Sequence, residues 1–186
     1  MRWLQRLLGL AARAGLGSAA PLPSTDGRLV VGDWTAERWV EGRSGTRDDL
    51  RSLAPRIARM HALARGLPAR PGAGGAAGSG RGRPPGDAAS APVRLRAALA
   101  DARHGEVTAI HGDLHPGNLV VAPDGPVLID WDEARRDGAS FDLAALGRHV
   151  PPQAERLSAI WEIGCCWRPE PERARKLARA LPARRA

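Results

Sequence analysis

Lysine is nearly missing from this chain: among its 28 lysines and arginines, only Lys176 is a lysine. Residues 1–175 therefore offer no amine for phosphate binding or covalent chemistry. Cysteine is scarce too. Cys165 and Cys166 are adjacent, and neighbouring cysteines rarely bridge because the geometry is strained. A secreted fold stapled by disulfides is excluded, and reduced thiols fit a cytoplasmic protein. No run of eighteen apolar residues is present, so no membrane partner is expected. The start, MRWLQRLLGLAARAGLGSAA, is broken by Gly9 and Arg13. It reads as an amphipathic helix with Leu4, Leu7, Leu8 and Ala11 on one face, rather than as a secretory signal.

The chain does carry charge, with a net +8 concentrated after Trp167. Arg168, Arg173, Arg175, Lys176, Arg179, Arg184 and Arg185 face only Glu170 and Glu172 there. No aromatic residue interleaves with them to stack on bases, so a solvated helix face is expected and nucleic acid is not. With 186 residues and 43% hydrophobic content, the chain suits one domain or one lobe of a two-lobed enzyme.

Along the chain, RLVVGDWTAERWVE reads as two strands, 28–32 and 34–40, around a Gly-Asp turn. Gly42 and Gly45 then loosen the backbone. Thr46 and Asp49 form a capping box before an apolar repeat at Leu50, Leu53, Ile57, Met60 and Ala64, which predicts a helix over 47–65 with a kink at Pro55. His61 falls near its buried face and reads as a satisfied structural histidine. Residues 69–92 are rich in Gly, Ala, Pro and Ser and read as a linker. Its glycines lack the strand before and the helix after that a phosphate loop needs. Helices are expected over 93–104 and 141–149, from Pro151, and from Pro169. The fold class is α+β.

The chemistry concentrates in HGDLHPGNLVVAPDGPVLIDWD, residues 111–132. Leu119–Val121 and Val127–Ile129 flank turn residues and predict a β-hairpin centred on Asp124. Asn118 and Asp130 are equidistant from that centre. In simple register they face each other, with Cβ atoms about 5 Å apart on one face. An amide oxygen and a carboxylate from two strands suit a hard cation such as Mg²⁺. Asp113 precedes Asn118 by five residues in a tight polar loop. A rival reading takes His111, Asp113 and His115 as the metal cluster of a phosphoesterase, but two-metal sites need more ligands than this sequence groups together.

An Asp, an Asn five residues on, a strand and a terminal carboxylate resemble the kinase catalytic loop and its metal-binding Asp. The form His-Gly-Asp-Leu-His-Pro-Gly-Asn, then Ile-Asp-Trp, then Phe141-Asp142-Leu143-Ala144, is similar to the aminoglycoside phosphotransferase and choline kinase family. That resemblance implies a protein-kinase-like fold and ATP-dependent, Mg²⁺-assisted phosphoryl transfer to a hydroxyl of a small molecule. It implies Asp113 as the catalytic base, Asn118 and Asp130 as metal ligands, and His111 and Asp142 as supports of the loop. His115 would pack in the loop and Asp132 could assist a metal. Val40, Glu41 and Gly42 would form the hinge that touches the adenine. Residues 1–42 would be a remnant of the amino-terminal lobe, 43–68 the first helix of the carboxy-terminal lobe, and 93–186 the catalytic lobe with a basic last helix. The family's strand lysine and glycine-rich loop have no counterpart here. The expectation is a truncated enzyme that binds Mg-ATP weakly or not at all, completed by an upstream lobe or another chain. The alternative is an inactive kinase-like binding module. The acceptor is not named by the sequence.

Overall fold

The computed structural model describes residues 1–73, 105–148, 150–167 and 169–181. The predicted helix over 93–104 and most of the predicted linker lie outside the described residues. Helix α1 (Arg2–Arg13) buries Trp3, Leu4, Leu7, Leu8 and Ala11, the apolar stripe read from the sequence plus one tryptophan. Trp3 Nε1 donates to the Pro68 carbonyl at 2.8 Å, so the stripe closes against the chain beyond the next helices. Among the described residues, no helix is long and apolar enough to cross a membrane.

The predicted helix over 47–65 is two helices, α2 (Arg47–Ser52) and α3 (Ala54–Ala64). The capping box forms as expected, with Asp49 receiving the Thr46 amide and hydroxyl. The break falls at Leu53 because Pro55 sits in the first turn of α3, where its missing N–H costs nothing. Leu50, Leu53, Ile57, Met60 and Ala64 are buried, so the apolar stripe survives the break.

The predicted strands 28–32 and 34–40 do not form as drawn. The segment holds one isolated bridge, Val31 to Trp34. A short strand β3 (Ala36–Glu37) pairs with β2 (Pro21–Leu22). Trp34 and Trp39 are each 81% exposed, so no second apolar layer is present to reward longer strands. The expectation for Gly42 and Gly45 is also corrected. A Cβ on Gly42 would stand 2.6 Å from the Val121 carbonyl oxygen, and one on Gly45 would strike the Leu119 side chain. These glycines permit close approach rather than looseness, and they let β4 (Arg43–Ser44) lie on the predicted β-hairpin.

The hairpin is β6 (Leu119–Ala122) and β7 (Gly125–Leu128). With β4 outside β6, and β1 (Gly17–Ser18) parallel to β7, it forms a four-stranded sheet. A separate antiparallel pair, β5 (Val107–Ile110) and β8 (Arg135–Gly138), carries the loop that begins at His111. Helices α4 (Ser140–Ala145), α5 (Pro152–Cys166) and α6 (Pro171–Ala180) follow. On α6, Arg173 pairs with Glu162 and Glu170, as a solvated basic face would.

Two apolar clusters result. One joins α1, α2 and α3 to Leu119, Leu128 and Trp131, and the other joins α5 and α6 to Ile110 and Phe141. The loop that begins at His111 runs between them. Ile57 is fully buried in the first cluster. Ile57→Ala is therefore expected to cost about 2–5 kcal/mol in urea unfolding, while Trp34→Ala should stay within about 0.5 kcal/mol.

Candidate active site

Strand β5 ends at Ile110 and the chain turns through Gly112, whose φ of 90° is open to glycine at little cost. Space demands glycine as well, since a Cβ there would meet the Glu133 carbonyl at 2.6 Å and Arg135 Nη1 at 2.5 Å. The turn is tied down by Asp142 on α4. Its Oδ2 receives the His111 N–H at 2.9 Å and its Oδ1 receives the Gly112 N–H at 3.0 Å. His61 Nε2, from α3, completes the carboxylate at 2.8 Å. His61 is thus the satisfied buried histidine the sequence suggested, and Thr108 fixes its backbone carbonyl at 2.7 Å. Burial works to raise the Asp142 pKa, but the hydrogen bonds from His61 and from the Gly112 amide outweigh it and hold the carboxyl below its ordinary range.

Asp113 follows the turn with its side chain 48% exposed. Asn118, at the end of a single 3₁₀ turn (Pro116–Asn118), spends its amide hydrogens on Asp113. Nδ2 donates to the Asp113 carbonyl at 2.9 Å and to Asp113 Oδ2 at 3.0 Å. His115 caps the turn through Nδ1, which receives the Gly117 N–H, and its Nε2 lies 3.5 Å from Asp113 Oδ2. His111 packs its ring 4.5 Å from that of Trp131. Its Nδ1 accepts from the Asp113 amide and its Nε2 donates to the Ile129 carbonyl. Both ring nitrogens are therefore spent, which removes His111 from the ligand set of the phosphoesterase reading. Burial lowers the His111 pKa, against the opposing charges of Asp142, Asp113 and Asp130, so the ring is neutral.

The hairpin register differs from the one drawn on the sequence. Leu119 faces Leu128 and Ala122 faces Gly125, so the turn is centred between Pro123 and Asp124. Asn118 then lies across from Ile129, whose N–H donates to the Asn118 carbonyl at 3.1 Å. Asp130 is one residue beyond that position. It alone among the described non-glycine residues has a positive φ, 58°. A left-handed residue leaves the strand alternation, so the parity argument no longer fixes its direction. Asp130 is exposed, and its charge, like that of Asp113, opposes the lowering of the His111 pKa. The amide oxygen of Asn118 and the carboxylate of Asp130 are hard donors of the kind Mg²⁺ takes. Among the described residues, no group of three or more His, Cys, Asp or Glu is placed to hold a metal. A cation here would draw its other ligands from water and substrate phosphate, as Mg²⁺ commonly does.

Three participants were not legible in the sequence. Arg135, on β8, is buried behind Gly112. Its Nε donates to Asp137 at 2.9 Å, its Nη1 donates to the Glu133 carbonyl at 3.1 Å, and its guanidinium carbon lies 4.0 Å from the centre of the Trp161 ring. Nη2 is buried without a hydrogen-bond partner, and the aromatic face partly offsets that loss. Asp137 itself is fully buried. An alternating Arg-x-Asp on a strand is the only signal that could have revealed this pair. The third is Glu37 of β3. Its carboxyl is pushed up, first by partial burial and then by the charges of Asp132 and Asp130. This brings the amino-terminal segment to the open end of the hairpin. Of the remaining predicted residues, Asp132 is exposed, and Val40, Glu41 and Gly42 lead directly into β4 at the hairpin's edge.

The buried His111 ring and the buried Asp142 carboxyl give stability a defined pH dependence. Unfolding releases His111 to its ordinary value near 6.5, so the unfolded chain binds more protons as pH falls through that range. Asp142 adds a loss at lower pH, beginning below about 4 and continuing to its depressed folded value. The melting temperature should be flat above about pH 7 and fall below about 6.5. His111→Gln should flatten the upper part of that slope when melting is followed by circular dichroism.

Comparisons with known proteins bear on the fold. A search of curated protein sequences returns no match. Amicoumacin kinase hAmiN, solved with AMP-PNP and Ca²⁺, superposes with a TM-score of 0.59 at 14% identity, covering 94% of this chain and 73% of that one. A microcompartment-associated aminopropanol kinase gives 0.54 at 21% identity, covering 99% and 73%. The choline kinase LicA from Streptococcus pneumoniae gives 0.52 at 16% identity, covering 98% and 75%. At these identities the likeness establishes the kinase-like fold. Residues 1–177 match the phosphotransferase enzyme family, and the chain belongs to that family.

Proposed function

We propose that this protein is a small-molecule phosphotransferase that moves the γ-phosphoryl group of ATP to an alcohol. One observation carries the reading. Asp113 is exposed to a substrate, yet its backbone and carboxylate are pinned by Asn118, on a loop clamped by Asp142. An exposed carboxylate held in one place is what a general base for a hydroxyl requires. In the reaction, Asp113 accepts the acceptor's O–H proton while the acceptor oxygen bonds to the γ-phosphorus. The bond from that phosphorus to the β–γ bridging oxygen breaks, and ADP leaves with the electron pair. Asn118 and Asp130 would hold Mg²⁺, which when bound neutralises charge on the phosphates. Neutral His111 keeps the loop's hydrogen bonds intact without adding a charge beside Asp113. Val40, Glu41 and Gly42 are assigned to the adenine edge, His115 to the loop beside Asp113, and Asp132 to the neighbourhood of the metal. A cytoplasmic setting supplies the nucleotide.

A second reading is favoured by a specific feature. Helix α1 has no acidic residue and no lysine precedes Lys176, so the Lys–Glu ion pair that kinases use on the α- and β-phosphates cannot form within residues 1–73. A binding module without catalysis would need no such pair.

Two variants separate the roles. Asp113→Asn keeps shape but cannot take the proton, so turnover should fall by about 10² to 10⁴ with Mg-ATP affinity nearly unchanged by calorimetry. Asp130→Asn removes a charged ligand and should weaken affinity and turnover together. Near-wild-type turnover in both variants would show these roles to be wrong. Mg-ATP binding with no turnover in the wild-type chain would select the binding module.

A further inference from the structure

A cavity of about 280 Å³ lies between α2, the loop after Asp113, and α4. That is near the lower end of the roughly 300–1,000 Å³ of small-molecule sites, so its occupant is small. Leu50, Leu114 and Ala144 give it an apolar lining, and Arg47, Arg51 and His115 give it polar walls. Among the described residues no aspartate or glutamate lines it. The acids nearest in sequence lie outside this lining. Asp49 is held by the capping box and by Arg43, and Asp48, 90% exposed, accepts from Arg51 Nη1 at 3.1 Å in a surface ion pair. Arg47 has no ion pair among the described residues. Arg51 lies over Gly147, where a Cβ would come within 3.1 Å of its Nε. His115 joins the cavity to the catalytic loop, with its Nε2 3.5 Å from Asp113 Oδ2.

Two guanidiniums on one small cavity, against a single solvent-exposed acid, Asp48 on Arg51, leave a net positive charge that disfavours a cation and suits an anion. An exposed pair of that kind is weak enough for Arg51 to exchange it for a ligand. The arginine fork matches the paired oxygens of a carboxylate or phosphate. We propose that this cavity is the acceptor subsite and that the acceptor is a small anionic alcohol. Its carboxylate or phosphate is gripped by Arg47 and Arg51, its carbon body rests on Leu50, Leu114 and Ala144, and its hydroxyl extends past His115 to Asp113. The hydroxyl's destination rests on the phosphotransfer reading; the preference for an anion rests on the cavity alone.

The test is calorimetric titration of the full chain with glycerate, glycerol phosphate and ethanolamine, in the wild type and in the double variant Arg47→Gln, Arg51→Gln. Both arginines are exposed, so the variant should fold, which circular dichroism checks. Glycerate or glycerol phosphate should bind the wild type, the better one identifying the anionic group. The double variant should weaken that binding about tenfold or more, the effect of a lost charge-assisted hydrogen bond, and Arg47→Lys with Arg51→Lys should restore part of it. Binding of neither anion, anion binding unchanged in the glutamine variant, or ethanolamine binding indifferent to it would each overturn the assignment. Phosphoryl transfer from Mg-ATP to the same compounds separates the two proposals. Arginine-dependent anion binding without transfer upholds the anion site and defeats the phosphotransfer reading. Transfer to ethanolamine alone does the reverse.

Discussion

A carboxylate shut away from water must receive hydrogen bonds on both oxygens or give up its charge, and Asp142 meets that condition with three donors from two places in the chain. His61 reaches it from α3, and the amides of His111 and Gly112 reach it from the loop after β5. Removing any one donor leaves a buried anion short of a partner, so the position of α3, the turn at Gly112 and the start of α4 are set together. The direction of Asp113 follows from that turn. The two apolar clusters meet around this carboxylate, which gives the fold a polar keystone where a hydrophobic contact would leave the loop free to slide.

Around it the charges are arranged in layers. The buried ring of His111 is neutral and spends both nitrogens on the backbone. Arg135 and Asp137 neutralise each other behind the loop, against the rings of Trp161 and Phe141. The uncompensated carboxylates of Asp113, Asp130 and Asp132 are on the exposed side, where Glu37 joins them from β3. A site that handles a phosphate-bound cation gains from this order, because the unbalanced negative charge is held where solvent and ligand can reach it. The arginines of α2 lie along the other side of the loop, so the two flanks of Asp113 differ in sign.

The motif from His111 to Asp142 was legible because each of its roles uses a residue type that little else can replace: glycine at a positive φ, an amide beside a carboxylate, and a carboxylate at a helix start. The stripe of α1 and the capping box of α2 were legible because both are local, fixed by spacing within one or two turns. The segment from 28 to 40 misled because β-prone residues form long strands only where a layer covers them, and Trp34 and Trp39 have none here. The hairpin existed in the sequence but its register did not. A shift of the turn centre by half a residue moves every partner, and nothing in Ala-Pro-Asp-Gly-Pro selects one closure over the other without the flanking strands.

Residue identity, spacing and the resemblance they carry by themselves determined the fold class, the family and the residues proposed for its chemistry, because those depend on side-chain identity and short-range geometry. Tertiary structure decided that Gly42 and Gly45 serve close packing, that Asp130 leaves the strand through a left-handed turn, and that Arg135 supports Gly112 from behind. It also set Arg47 and Arg51 beside a loop more than sixty residues away in sequence. Each of these is a contact between segments distant along the chain, and such contacts are chosen by the packing of whole elements, which no local pattern encodes.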